Sequence, residues 1–517
     1  MCGILAIFNK IENSTETWLS HRGPDQSRIS FNKDNDVEIS FNRLAIQDVS
    51  ENGMQPFVSE KNDCIYACNG EIYNQKILKN YLPNYKFKSG SDCELIGPLF
   101  DKLGWKAAMN LDGVFALVTV NKNKAYVARD PFGVRPLFWC KMKTKIYFAS
   151  EMKALPRCST EINHVLPGHV MVLEKGSNEK QINWKITATH RYYNYFYGPT
   201  KMLSPCLLTS RIYTNLKTAI SKRLQLDRPF GCLLSGGIDS SILAALLSEL
   251  VPFTKIRTFS CGLAGATDLI AARKVAKYLN TDHTEYIFSK EEMLNAIPAT
   301  IKQCETWDTT TIRASTPMLL MCKRIAKETN IRVVFSGEGS DEASGSYLYF
   351  YNAPSANEFQ KECIRLLKKL YQYDVLRCDR CTAGAGIEVR VPFLDLDFIR
   401  EYMSIHPSLK CPTKNRMEKF LLRSAFMNCL PEDIVWRQKE GMSDGCSAMS
   451  QSWYEIIQEY TSKQGLTENE YYLKIFDKYY SRDILDAYWL PRWSNQKDPS
   501  ARALKDIYAL KDIYTTK

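Results

Sequence analysis

LLSGGIDSS, residues Leu233–Ser241, decides how this chain is read. The apolar run PFGCLLS leads into it and SSILAALLSEL leads out, so the pattern is buried strand, glycine turn, helix. Ser235, Gly236 and Gly237 can bring several backbone N–H groups toward one point. A helix beginning near Ser240 adds the positive end of its dipole, and together these make an anion cradle for a phosphate chain. The spacing is not GxxxxGK[ST], so the usual P-loop does not apply. A plain glycine turn would need neither the flanking serines nor Asp239.

The same grammar recurs outward from this stretch. IRTFSCG and IRVVFSG read as two more buried strands, each after a helical pattern, and RIYTNLKTAISKRL is amphipathic. Such alternation predicts a parallel α/β sheet, whose ligands bind beyond the carboxyl ends of its strands. FSGEGSDE (Phe335–Glu342) is a second loop at such an end. Asp239 and Asp341 are therefore expected to meet across one site and hold Mg²⁺ on phosphate oxygens. Glu338 is the candidate base beside them.

The first 190 residues have another character. CIYACNGEIYN, GVFALVTV, KAYVARD, KIYFAS and HVMVLE read as short strands between turn-like loops, which predicts a layered sheet domain. HRYYNYFYGPTKMLSP marks the change, so the expected division is residues 1–190, a linker at 191–210 and a second domain at 211–517.

The chain opens MCGILAIF. Cys2 is either a small buried hydrophobe on a strand or a nucleophile exposed when Met1 is removed. In the second case thiol and α-amine share one residue, and the amine can serve as base. His21, His164, His169 and His190 leave a Cys–His pair open as well.

Composition narrows the classes. At 517 residues, 45% hydrophobic and 24% charged, the chain reads as a globular protein of two or more domains. Its net charge of +11 is interspersed, without a basic block or a nucleic-acid-binding signature, and suits anionic small substrates. No run is long and apolar enough for a membrane span, and no secretory signal or myristoylation site is expected at the start. The 17 cysteines, an odd number, read as reduced thiols in the cytoplasm. The CxxC at Cys378–Cys381 has no second pair at zinc spacing.

The chain resembles the glutamine-hydrolysing asparagine synthetases nearly from end to end. Its N-terminal part is similar to class II glutamine amidotransferases in MCGI, HRGPD (His21–Asp25), RLAI (Arg43–Ile46), NGEIYN (Asn69–Asn74), SDCE (Ser91–Glu94), LDGVFA and RDPFGVRPL. Its C-terminal part is similar to ATP pyrophosphatases in SGGIDSS, and to the synthetases in TTIRAST, FSGEGSDE, RVPFLD, RQKEGMSDG and DPSARAL. The resemblance implies an α+β N-terminal-nucleophile hydrolase domain of αββα layers, followed by an α/β parallel-sheet ATP pyrophosphatase domain.

The resemblance also implies roles. Cys2 would attack the glutamine side-chain amide, with Asn69 and the Gly70 N–H as oxyanion hole. Arg43 and Ile46 would border the glutamine, Arg43 pairing with its α-carboxylate and Glu71 or Asp92 holding its ammonium. ATP would lie over Leu234, Ser235, Gly236, Gly237, Asp239, Ser240, Cys261, Ser336 and Gly337, with Mg²⁺ at Asp239 and Asp341. Lys439 and Arg313 would neutralise phosphate charge while Glu338 acts as base. Aspartate would become β-aspartyl-AMP, which ammonia passed through an internal tunnel converts to asparagine. A homodimer is implied too. Gln47, where a small apolar residue is usual, and Ser346, where a glycine is usual, depart from the pattern. The rival readings are a β-lactam-synthetase-like amide former, a catalytically silent protein on the same fold, and a nucleic-acid binder.

Overall fold

Among the described residues three sheets form the framework. The computed structural model describes residues 1–10, 18–59, 64–156, 161–176, 182–195, 197–198, 200–448, 450–480 and 491–493. DPSARAL and the expected linker positions 196 and 199 lie outside these residues.

The first sheet holds β1 (Gly3–Phe8), β2 (Gln26–Asn32), β3 (Val37–Arg43), β8 (Phe138–Met142), β9 (Lys145–Ala149) and β10 (Ile162–His164), in the order β10-β8-β9-β1-β3-β2. The second holds β4 (Phe57–Val58), β5 (Cys64–Ile72), β6 (Gly113–Asn121), β7 (Lys124–Arg129), β11 (His169–Lys175) and β12 (Trp184–Arg191), in the order β12-β11-β7-β6-β5-β4. All the strand pairs given for these two sheets are antiparallel. Ile4, Phe8, Ile39 and Phe41 of one sheet meet Ile65, Val118 and Val127 of the other in a fully buried core. Alternate residues of each strand point to this core, which fixes register because a one-residue slip would turn them outward.

α1 (Gln75–Lys79) and α2 (Ile96–Leu103) lie beside the second sheet, where Leu78, Leu95, Ile96 and Leu99 pack with Leu117 and Phe115. Among the described residues Leu19, Met152, Ala154 and Leu155 cover Leu5, Ile7 and Tyr147, with no α-helix among them.

The second half begins with α3 (Pro205–Lys222). Its sheet has the order β15-β14-β13-β16-β17, from β13 (Phe230–Leu233), β14 (Arg257–Leu263), β15 (Asp282–Phe288), β16 (Val333–Phe335) and β17 (Glu388–Arg390). All four pairings are parallel, as the continuous apolar runs predict for strands buried on both faces. The intervening helices are α4 (Ile238–Leu250), α5 (Thr267–Leu279), α6 (Lys290–Cys304), α7 (Thr309–Glu328), α8 (Ser340–Ser344), α9 (Ala356–Lys369) and α10 (Asp374–Ala383). Local chemistry sets their starts. Ser289 and Glu292 form a capping box on α6, and Asp308 accepts the Thr311 N–H at 2.7 Å on α7. Strand order reverses beside β13, so the loops after β13 and β16 open on one crevice. One apolar core joins the two halves, with Tyr73, Val114, Phe132 and Val134 packed into the cluster around the parallel sheet.

Candidate functional site

Two constellations stand on this frame. The first surrounds Cys2, the residue before β1 begins. Its N–H donates to Asn69 Oδ1 at 2.9 Å, which orients the Asn69 amide. Asn69 Nδ2 is thereby left buried without a partner, a donor waiting for developing negative charge. Gly70 follows on β5. A Cβ there would lie 2.2 Å from the Val114 carbonyl oxygen, so only glycine allows the close strand approach. The Cys2 thiol lies 3.7 Å from the Leu44 carbonyl oxygen, and burial pushes its pKa up. The α-amine of Met1 is buried and lowered to about 6.

The four histidines are engaged elsewhere. His21 Nε2 meets Glu151 at 2.7 Å, His169 Nδ1 meets the Pro167 carbonyl at 2.8 Å, His190 stacks on Trp105 and His164 packs on Phe138.

Arg43 is not the open fork expected. Its Nη1 donates to Gln26 and the Ser50 carbonyl at 2.9 and 2.7 Å, and its Nη2 to the carbonyls of Gln47 and Asp48. Both terminal amino groups thus hold the turn after β3. Ile46 is buried, and its carbonyl accepts the Asp227 N–H of the second half at 2.9 Å. Glu71 also turns toward that half: Arg390 Nη2 stands 3.2 Å from its Oε2, and Gln47 Nε2 donates to the same oxygen. Burial, opposed by Arg390, raises the Glu71 pKa well above the usual range. Asp92 accepts the Ile72 N–H at 2.5 Å, and burial lifts it to about 6. The Gln47 side chain, at a position where the family pattern has a small apolar residue, thus engages Glu71 and also accepts from Gln75 Nε2 at 3.1 Å.

The second constellation fills the crevice beyond β13 and β16. Leu234, Ser235, Gly237, Asp239, Ser240, Cys261, Ser336, Gly337, Glu338, Asp341 and Lys439 all line one cavity. Gly236 has φ +72°, and a Cβ there would lie 2.4 Å from the Ala271 backbone, so it shapes the loop from behind. Ser240 Oγ accepts the Ser235 N–H at 3.2 Å, and Gly237 N–H donates to Ser235 Oγ at 3.3 Å. These bonds wind the cradle onto the first turn of α4. A Cβ on Gly337 would lie 2.9 Å from Asp239 Cβ, so the two acidic loops touch.

Asp239 and Asp341 do converge, but a cation the sequence reading missed stands between them. Lys419 Nζ lies 2.5 Å from Asp239 Oδ2 and 2.5 Å from Asp341 Oδ1. Lys439 Nζ is 2.9 Å from Asp341 Oδ2. Burial works to raise Asp341, and the two lysines outweigh it, holding the carboxyl well below its usual range. The two carboxylates are hard oxygen donors of the kind Mg²⁺ takes, and in this structure the Lys419 ammonium occupies the space between them. Among the described residues no third carboxylate, histidine or cysteine joins them.

Glu338 sits deeper. Arg377 Nη2 donates to it and to Asp374 at 2.8 Å each. Burial, opposed by Arg377 and helped by Asp374, pushes its carboxyl up to about 7. Ser346 donates to Asp341, so the departure from glycine adds a contact. Arg313 corrects the sequence reading. It does not line the cavity; its Nε donates to Glu468 at 2.8 Å, its Nη2 to the other oxygen, and its guanidinium lies over Tyr454. The residues missed were Lys419, Arg377 and Asp374. The quoted motifs stop short of all three, and only their proximity to Glu338 and Asp341 marks them.

Comparison with known proteins finds relatives of both parts of the chain. A glutamine amidotransferase domain model matches residues 1–186, and an asparagine synthase model matches residues 211–363 and 353–505. The mouse protein named asparagine synthetase [glutamine-hydrolyzing] is 39% identical over 98% of each chain. The human and chicken proteins of that name are 38% and 39% identical, over 98% of this chain and 98% and 99% of theirs. Among solved structures, a glutamine phosphoribosylpyrophosphate amidotransferase from B. subtilis aligns at TM-score 0.32 and 15% identity, covering 56% of this chain and 91% of that one.

Proposed function

The chain belongs to the glutamine-hydrolysing asparagine synthetase family, and from that premise we propose how its two sites make asparagine from aspartate, glutamine and ATP. The observation that carries the reading is the pairing of a thiol beside a buried, unpartnered amide donor with an acidic, lysine-bridged phosphate cradle in one chain. We assign the amidotransferase reaction to residues 1–190, the link to 191–210 and the synthetase reaction to 211–517.

With Met1 removed, the Cys2 amine takes the thiol proton and the sulfur attacks the glutamine amide carbon. Asn69 Nδ2 and the Gly70 N–H receive the oxyanion. Ammonia leaves, and water hydrolyses the γ-glutamyl thioester to glutamate. Arg43 would exchange part of its carbonyl set for the substrate carboxylate. Asp92 is the better candidate partner for the ammonium, because Glu71 is taken by Arg390 and Gln47.

In the second site the aspartate β-carboxylate attacks the α-phosphate of ATP, giving β-aspartyl-AMP and pyrophosphate. The loop from Ser235 to Ser240 binds the phosphates through the N–H groups at the start of α4, since those of Ser235 and Gly237 donate within the loop. Lys419 and Lys439 balance charge as pyrophosphate separates. Mg²⁺ would be held by Asp239 and Asp341 and would supply Lewis-acid charge at the phosphate oxygens. Ammonia displaces AMP from the β-carbonyl to give asparagine, and Glu338 takes the proton the nitrogen sheds, a role suited to a carboxyl near 7.

The test is one incubation with ATP, Mg²⁺, aspartate and glutamine, read by mass spectrometry. Asparagine, AMP and glutamate should appear together. Glutamate without AMP would point to another carboxylate acceptor, and no product from folded protein starting at Cys2 would return the silent-protein reading.

A further inference from the structure

Cys2 lies one residue before the β1 ladder, whose register begins at Gly3 opposite Asn42. The sheet therefore does not fix its carbonyl. That oxygen instead accepts Arg22 Nε at 2.9 Å. The rest of the Arg22 guanidinium reaches into the other half of the chain. Its Nη1 donates to Asp379 Oδ2 at 2.8 Å and its Nη2 to Asp379 Oδ1 at 3.0 Å, a bidentate fork. Nη1 also meets Glu151 Oε1 at 2.6 Å. Arg22 is fully buried and Asp379 nearly so, and Arg380 Nη1 holds Asp379 Oδ2 at 3.2 Å. Asp379 stands on α10, the helix whose Asp374 and Arg377 wall the nucleotide cavity beside Glu338.

We propose that Asp379, a residue of the synthetase half, is a positioning residue for the glutaminase reaction, acting through Arg22 to set the backbone from which the Cys2 thiol is aimed. This rests on the reading of Cys2 as the nucleophile. The fork holds the guanidinium plane, and the plane places Nε against the Cys2 carbonyl. Glu151 alone engages only Nη1 and leaves that plane free to turn. The amidotransferase site is thus complete only with the synthetase half in place.

The experiment uses the full chain and two readouts, alkylation of Cys2 by a diazoketone analogue of glutamine and asparagine synthesis from ammonium. Asp379→Asn should slow alkylation and glutamine-dependent kcat by about 10-fold, with ammonium-dependent synthesis within about twofold of wild type. A purely structural role would lower both reactions together. Arg22→Lys should slow alkylation as much, and the double variant should be no slower than Arg22→Lys alone, because the two act as one unit. Wild-type alkylation by Asp379→Asn, or additive losses in the double variant, would overturn the proposal. If Asp379→Asn does not fold, Asp379→Glu carries the comparison, since it keeps the charge and moves the fork: slowed alkylation with intact ammonium-dependent synthesis supports the role, and a wild-type rate overturns it. Cys2→Ala separates the underlying reading. If it still hydrolyses glutamine, Cys2 is not the nucleophile; if it is inactive while Asp379→Asn matches wild type, only the role of Asp379 fails.

Discussion

Lys419 Nζ stands 2.5 Å from Asp239 Oδ2, with Asp341 at the same distance on its other side, so an ammonium joins the two acidic loops. Two carboxylates this close repel unless a cation stands between them. The lysine side chain is fully buried, so its charge is little screened. Lys419→Met should therefore reduce AMP formation by about 10²-fold or more with either glutamine or ammonium as nitrogen donor. Glutamine hydrolysis should persist. Pyrophosphate release near the wild-type rate would remove Lys419 from the phosphate chemistry.

Glu338 gives the synthetase half a pH dependence. Burial lifts its carboxyl to about 7, against the opposing pull of Arg377. A base must be ionised, so asparagine formation from ammonium and preformed activated aspartate should rise as pH increases through about 7. The stability sign is opposite. A carboxyl whose folded pKa lies above its unfolded value binds its proton more tightly when folded, so it favours folding below the unfolded value and loses that contribution as pH rises toward about 7. Glu338→Gln should flatten the stability change across that interval, seen in thermal midpoints at a series of pH values, and should lower the rate at every pH.

Arg313 should behave as a structural residue. It is 2% exposed, forked onto Glu468 and stacked over Tyr454. Arg313→Ala leaves a buried carboxylate unpaired and should destabilise the synthetase half by about 3–5 kcal/mol. A marked fall in thermal midpoint checks this, with Glu468→Gln giving a fall of similar size. An unchanged midpoint combined with lost pyrophosphate release would return Arg313 to the nucleotide.

Removal of Met1 should switch on the glutaminase alone. While Met1 remains, the Cys2 nitrogen is a peptide N–H donating to Asn69 Oδ1 and cannot take a proton. Intact-mass measurement of active protein should show a chain starting at Cys2. Protein retaining Met1 should make asparagine from ammonium yet release no glutamate from glutamine; brisk hydrolysis by that form would rule out the amine as base.

Much of the fold was legible from short stretches. PFGCLLS, IRTFSCG and IRVVFSG became β13, β14 and β16, because runs buried on both faces of a parallel sheet are apolar throughout. CIYACNGEIYN became β5 with Asn69 and Gly70 side by side. The helix after the glycine loop begins at Ile238 rather than near Ser240, since Gly237 rather than a serine stands at its N-cap. What covers the outer face of the first sheet, Leu19 and Met152 among others, was not legible, because no local pattern states it.

The sequence by itself determined the chemistry that neighbouring residues make together: a thiol at the N-terminus, a glycine turn that gathers N–H groups, and acidic loops at strand ends. These are set within a few residues, where backbone geometry and side-chain type suffice. Tertiary structure decided where the long charged side chains reach. Arg22 finds Asp379 across 357 positions, Arg313 finds Glu468, Arg390 finds Glu71, and Lys419 enters between Asp239 and Asp341. A buried guanidinium or ammonium must meet a carboxylate somewhere, and only the packed chain determines which one lies within reach.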